Sequence, residues 1–108
     1  AARLAPAMKR AAKLFADRLR DTRRARDAGD RLIPDVGGQG VAHADVIIEA
    51  IFENADAKRA LFVDLEARAR PDAILATNTS SIPLEDIAGA LRNPSRLVGL
   101  HFFNPVAE

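Results

Sequence analysis

The chain has 108 residues, 48% of them hydrophobic, which suffices for one domain and excludes wholesale disorder. It contains no cysteine, excluding a disulfide framework or thiolate metal site, and has neither a signal-peptide core at its start nor an apolar run near the ~20 residues that span a bilayer. Net charge is only +1, but residues 1–28 hold nine Arg and Lys against three Asp, a local excess of six positive charges.

Leu4, Met8, Ala11, Phe15 and Leu19 recur at helical spacing among Arg, Lys and Asp, so residues 3–26 read as one amphipathic helix. Ala28-Gly29 would end it, with glycine as the left-handed cap. The charge excess then describes either a solvated helix face or the footprint of an anionic partner. Arg31-Leu32-Ile33-Pro34 is a short strand candidate, confined by its proline to an edge or a strand end. Gly37-Gly38-Gln39-Gly40 invites a nucleotide-loop reading, but a strand is expected next, whereas the dinucleotide fingerprint places its glycines between a strand and a helix. A flexible turn is the better reading.

Asp45-Val46-Ile47-Ile48-Glu49-Ala50-Ile51 is a near-continuous β-branched run, as a buried parallel strand requires. Asn54 is an N-cap candidate, Asp56 suits the first turn of a helix, and Ala57, Leu61, Leu65 and Ala69 supply its packing stripe. Pro71 stops that helix. A strand over 73–77, a turn at Asn78-Thr79-Ser80-Ser81, a short helix over 83–91 and a strand over 96–102 complete the series. Strand, helix, strand, helix, strand with tight joints implies right-handed crossovers and an α/β fold with a parallel sheet.

In such a sheet the carboxyl ends of the strands form the ligand-binding edge. Three ends carry polar groups: Glu53 with Asn54, Asn78-Thr79-Ser80-Ser81, and His101 with Asn104. An imidazole beside hydroxyls and carboxamides is what removing the proton of an alcohol needs, with Ser or Asn donors holding the oxygen. The same groups also serve as turn formers and caps, and a histidine beside two phenylalanines can simply be packed. His43, before a strand, is expected at the surface, and two distant histidines give no metal-ligand spacing.

The run Asp45-Val46-Ile47-Ile48-Glu49-Ala50-Ile51-Phe52-Glu53-Asn54, then Lys58, then Asn78-Thr79-Ser80-Ser81, then Gly99-Leu100-His101-Phe102-Phe103-Asn104-Pro105, closely resembles the 3-hydroxyacyl-CoA dehydrogenase family. It is most similar to the dehydrogenase part of the multifunctional fatty-acid oxidation proteins. The resemblance implies a Rossmann-type parallel sheet with flanking helices, with residues 1–108 one partial NAD-binding domain truncated at both ends. The first βαβ unit, with its glycine-rich fingerprint, and the C-terminal helical domain would lie outside the chain. It implies that His101 is the catalytic base toward the 3-hydroxyl, that Ser80 contacts substrate and cofactor, and that Asn104 lies near the nicotinamide and the substrate oxygen. Ile51, Phe52, Glu53 and Lys58 would line the NAD site.

From the resemblance we expect NAD-linked oxidation of a 3-hydroxyacyl-CoA thioester to the 3-oxoacyl-CoA in fatty-acid β-oxidation, by a parent that is a homo-oligomer or part of a multienzyme complex. The fragment alone should bind NAD weakly and turn nothing over. The basic helix would contact CoA phosphates. Ala- and Arg-rich composition points to a bacterial cytoplasm, with mitochondrion and peroxisome as alternatives. One rival reading is a 3-hydroxybutyryl-CoA or related short-chain hydroxyacid dehydrogenase, and another is a non-catalytic fragment. A third is a nucleic-acid-binding module using the basic helix; 5% aromatic content without Tyr or Trp and a charge near zero argue against it.

Overall fold

The computed structural model describes residues 4–101, in a chain that divides into two compact units, Ala1–Gly38 and Gln39–Glu108. In the first unit, helices α1 (Leu4–Leu19) and α2 (Thr22–Arg31) pack on each other, where the sequence predicted a single helix. The break is local chemistry. Arg20 takes a left-handed backbone with φ 50°, and the Asp21 side chain accepts from the amides of Arg23 (2.9 Å) and Arg24 (3.4 Å), capping a new helix. Helix α2 runs through Gly29, which is therefore not the cap; Leu32 closes it by donating its amide to the Gly29 carbonyl. The expected stripe is half-buried at Leu4, Met8, Ala11 and Phe15, while Leu19 is exposed.

Leu32 to Pro34 do not form the expected strand, since α2 takes up Arg31 and Pro34 lacks a ladder donor. Gly38, at φ 70°, makes the turn that only a residue without Cβ adopts readily, and donates to the Asp35 carbonyl. A 3-10 turn, Gln39–His43, follows it and leads into the strand expected next, so the glycines do not open a helix of the dinucleotide fingerprint.

The second unit is built on a three-stranded parallel sheet in the order β1 (Val46–Glu49), β2 (Ile74–Thr77), β3 (Leu97–Gly99). Glu49 lies opposite Thr77, and Thr77 opposite Gly99, so all three carboxyl ends meet at one edge. Helix α3 (Ala55–Arg68) joins β1 to β2, capped by the Asn54 side chain accepting from the Ala57 amide at 2.9 Å. Helix α4 (Leu84–Ala88) is shorter than expected and continues as tight turns to Leu91. Phe62, Leu65, Leu75, Ile87, Leu91 and Leu97 form the core, with Val41 and Ile47 packed on it. The opposite sheet face exposes Val46, Ile48, Ile74 and Val98.

The fully buried residues of α3 are Lys58, Phe62 and Leu65; of the predicted stripe, Leu65 is in the core and Leu61 and Ala69 are half-buried against it, so the stripe holds but omits Lys58 and Phe62. Helical periodicity assigns a lysine to solvent, and here the lysine is inside. Farther along the helix, the Glu66 carboxylate accepts from the amides of Arg92 (2.8 Å) and Asn93 (3.0 Å), which lower its pKa and tie α3 to the loop before β3. No helix among the described residues is long and apolar enough to cross a membrane.

Truncating the fully buried Phe62 to Ala should cost ~3–5 kcal/mol in chemical denaturation of the full-length protein. The neighbouring exposed Val63→Ala should cost less than ~0.5 kcal/mol. Equal losses at the two positions would place the core elsewhere.

Candidate functional site at the strand carboxyl ends

The edge is organised from beneath by three buried polar side chains, Glu49, Lys58 and Thr77. Glu49 ends β1. Its Oε1 accepts from Thr77 Oγ1 at 2.5 Å, and its Oε2 accepts from Lys58 Nζ at 2.5 Å and from the Ile51 amide at 2.7 Å. Lys58, 1% exposed, also approaches Glu53 Oε1 (3.2 Å) and donates to the Ile51 carbonyl (3.3 Å). Three acceptors thus meet the three donors of an ammonium, the condition under which a buried charge is tolerated.

Glu53 reaches from the β1–α3 loop to the turn after β2. Its Oε2 accepts from the amides of Ser80 (3.1 Å) and Ser81 (3.3 Å) and from Ser81 Oγ (2.9 Å). The Ser81 hydroxyl is the main cause that holds the Glu53 pKa at about 2, below the ordinary 4.5; partial desolvation opposes it, and Thr79, Ser80 and Lys58 assist. The same turn is bound to the sheet through Asn78, whose amide donates to the Glu49 carbonyl. Thr79 donates its amide to Thr77 Oγ1 at 3.3 Å and accepts from the Ile82 amide at 3.1 Å.

On the adjacent strand, Leu100 donates its amide to the Thr77 carbonyl at 2.9 Å, and His101 follows it, exposed. Ser80, also exposed, and His101 therefore stand at the same edge, each beyond the end of its own strand. Ile51 and Phe52 lie just past β1 and are exposed, Phe52 by 72%. Asn104 lies outside the described residues. His43 is exposed in its 3-10 turn. Sequence reasoning passed over Glu49 and Thr77 as strand residues. The available signal was an acid inside a β-branched run with a lysine nine positions on, which fold back together if the lysine is buried.

The proton of Glu53 binds near pH 2 in the folded chain and near 4.5 when the turn is lost. Its contribution to stability is therefore complete above 4.5 and disappears as pH falls through 2. Denaturation midpoints measured between about pH 5 and 2 should fall less steeply in Glu53→Gln than in the parent. Parallel acid limbs would contradict the bonds drawn from Ser80 and Ser81.

A family profile described as 3-hydroxyacyl-CoA dehydrogenase, NAD binding domain, matches residues 1–108. Over 66 residues the chain is 53% identical to the fatty acid oxidation complex subunit alpha of Vibrio campbellii, a match covering 61% of this chain and 9% of that protein. The crystal structure of 3-hydroxybutyryl-CoA dehydrogenase from Escherichia coli is similar with a TM-score of 0.92 at 36% identity, over 98% of this chain and 23% of that one. The dehydrogenase part of multifunctional enzyme 1 from C. elegans gives a TM-score of 0.76 at 31% identity, over 97% and 23%. The chain thus spans less than a quarter of each of these relatives. With its parallel sheet and flanking helices of Rossmann type, it belongs to the NAD-binding domain family of the 3-hydroxyacyl-CoA dehydrogenases.

Proposed function

We propose that this chain is part of the NAD-binding domain of an NAD-dependent (S)-3-hydroxyacyl-CoA dehydrogenase. The parent protein would oxidise 3-hydroxyacyl-CoA to 3-oxoacyl-CoA in fatty-acid β-oxidation. The observation that carries this reading is the exposed imidazole of His101 at the carboxyl end of β3, beside a serine turn that Glu53 grips by its amides.

The residues present fit a nicotinamide cofactor. Phe52 and Ile51 offer exposed apolar surface at the ligand edge, and Glu53, kept ionised, offers a carboxylate acceptor beside it. The chemistry supplied by NAD when bound is acceptance of a hydride. His101 takes the proton from the substrate 3-hydroxyl oxygen, which raises the electron density that drives hydride departure from C3. The Ser80 hydroxyl holds that oxygen in line, and Asn104 supplies a second donor to it. Glu53 acts on Ser80 through its amide, so the serine hydroxyl keeps its capacity to donate to substrate.

The substrate class is a CoA thioester, and the parent works as a homo-oligomer or within a multienzyme complex; the name of the Vibrio campbellii relative supports the second arrangement. A bacterial cytoplasmic location accords with that relative. Similarity to the E. coli 3-hydroxybutyryl-CoA dehydrogenase over 98% of the chain favours a second reading, in which short acyl chains are preferred. Comparing kcat/KM across acyl lengths from C4 to C16 would decide between the two.

In the full-length enzyme, His101→Ala should lower kcat by about 10²–10⁴-fold while leaving NAD affinity within about threefold. Steady-state kinetics together with NAD titration reads both. Retention of activity within about tenfold removes His101 as the base.

A further inference from the structure

We infer that Glu49 and Thr77 are positioning residues for the dehydrogenase reaction: a buried cluster with Lys58 sets Ser80 and His101 in place relative to each other. The inference rests on the catalytic reading of those two residues above. Two arms leave one carboxylate. From Glu49 Oε2 the first passes through Lys58 Nζ (2.5 Å) to Glu53 Oε1 (3.2 Å), and from Glu53 Oε2 to the amides of Ser80 and Ser81. From Glu49 Oε1 the second passes to Thr77 Oγ1 (2.5 Å), and the Thr77 carbonyl holds the Leu100 amide, the residue before His101.

Glu49, Lys58 and Thr77 are 3%, 1% and 0% exposed, so water cannot stand in for a missing partner at the junction. For the same reason neither Glu49 nor Thr77 touches substrate. Lys58 likewise is enclosed by Glu49, Glu53 and the Ile51 carbonyl and acts on the edge through Glu53. Converting Glu49 to Gln keeps an acceptor for the threonine but removes the charge facing Lys58. The ammonium then leans on Glu53 and draws that carboxylate from the serine turn. Thr77→Val removes the hydroxyl that fixes the other carboxylate oxygen while nearly keeping the shape.

The test uses the full-length enzyme with a 3-hydroxyacyl-CoA and NAD, with amide exchange followed by mass spectrometry. Glu49→Gln and Thr77→Val should each lower kcat by about ten- to a hundredfold, with the KM for the 3-hydroxyacyl-CoA within about threefold, because small misplacements of reacting groups act on the chemical step. Exchange at the Ser80 and Ser81 amides should quicken about tenfold, while Phe62 and Leu75 keep their protection. In the double variant Glu49→Gln/Lys58→Met, thermal stability should recover and kcat should stay low. A kcat that recovers along with stability, or lies within about threefold of the parent in either folded single variant, overturns the inference. If Glu49→Gln does not fold, the kcat of Thr77→Val decides alone. A parent enzyme without 3-hydroxyacyl-CoA turnover defeats the proposed function instead; unchanged exchange at Ser80 and Ser81 then defeats the relay, and quickened exchange upholds it.

Discussion

A lysine ammonium enclosed by protein must find acceptors for all three of its hydrogens, and that requirement shapes the ligand edge of this domain. Lys58 enters from α3 on the same face as Phe62 and Leu65, so the hydrophobic packing of the helix carries the charge inside. The end of β1 supplies the answer with Glu49, Glu53 and the Ile51 carbonyl. Removing one partner of such a pair leaves an uncompensated buried charge, typically a loss of ~3–5 kcal/mol. Helix, strand and loop are therefore fixed in mutual register by one electrostatic demand, which apolar packing alone would leave free to slide.

Parallel pairing extends that local fixation across the sheet. Because Glu49 lies opposite Thr77 and Thr77 opposite Gly99, a side-chain bond from Glu49 to Thr77 adds to the backbone ladder at the point where the strands end. Beyond it the chain turns outward, and the turn after β2 is caught by Glu53 through two amides. Such turns normally carry the mobility of a loop. Here the two amides are anchored, and in the proposed mechanism that anchoring would let Ser80 meet the tolerance of a fraction of an ångström that reacting groups require.

The fold was legible in the sequence wherever apolar pattern and turn chemistry agreed. The β-branched run before Glu49 marks β1, the Asn54 cap and the proline after α3 mark both ends of that helix by local rules, and the parallel order followed from strand–helix alternation. The break between α1 and α2 was missed because the amphipathic pattern continues past Arg20, while the cap at Asp21 depends on one residue taking a left-handed backbone. The stripe predicted for α3 holds at Leu61, Leu65 and Ala69 but leaves out Lys58, because hydrophobic periodicity has no symbol for a lysine that is buried by pairing. For the site, the motif marked Ser80, Glu53 and His101 but not what holds them, since Glu49 and Thr77 read as ordinary strand residues until the register sets them side by side. Long-range pairing is a property of topology, and a local pattern does not contain it.

The electrostatics of the edge also divide the chemical labour. Proton removal is most effective when the affinity of the base lies near the working pH. Glu53, held at about 2 by Ser81 and its neighbours, is a feeble base at neutrality despite its place at the candidate site. Its carboxylate is instead a permanent acceptor, suited to holding the Ser80 and Ser81 amides without changing charge. Glu49 is buried and committed to Lys58 and Thr77. Both acids are thus taken up by the bonds that make them useful, and the proposed mechanism accordingly gives the proton to the imidazole of His101. An arrangement in which the carboxylates hold position while a separate side chain moves the proton keeps the geometry constant as the charge on the base changes.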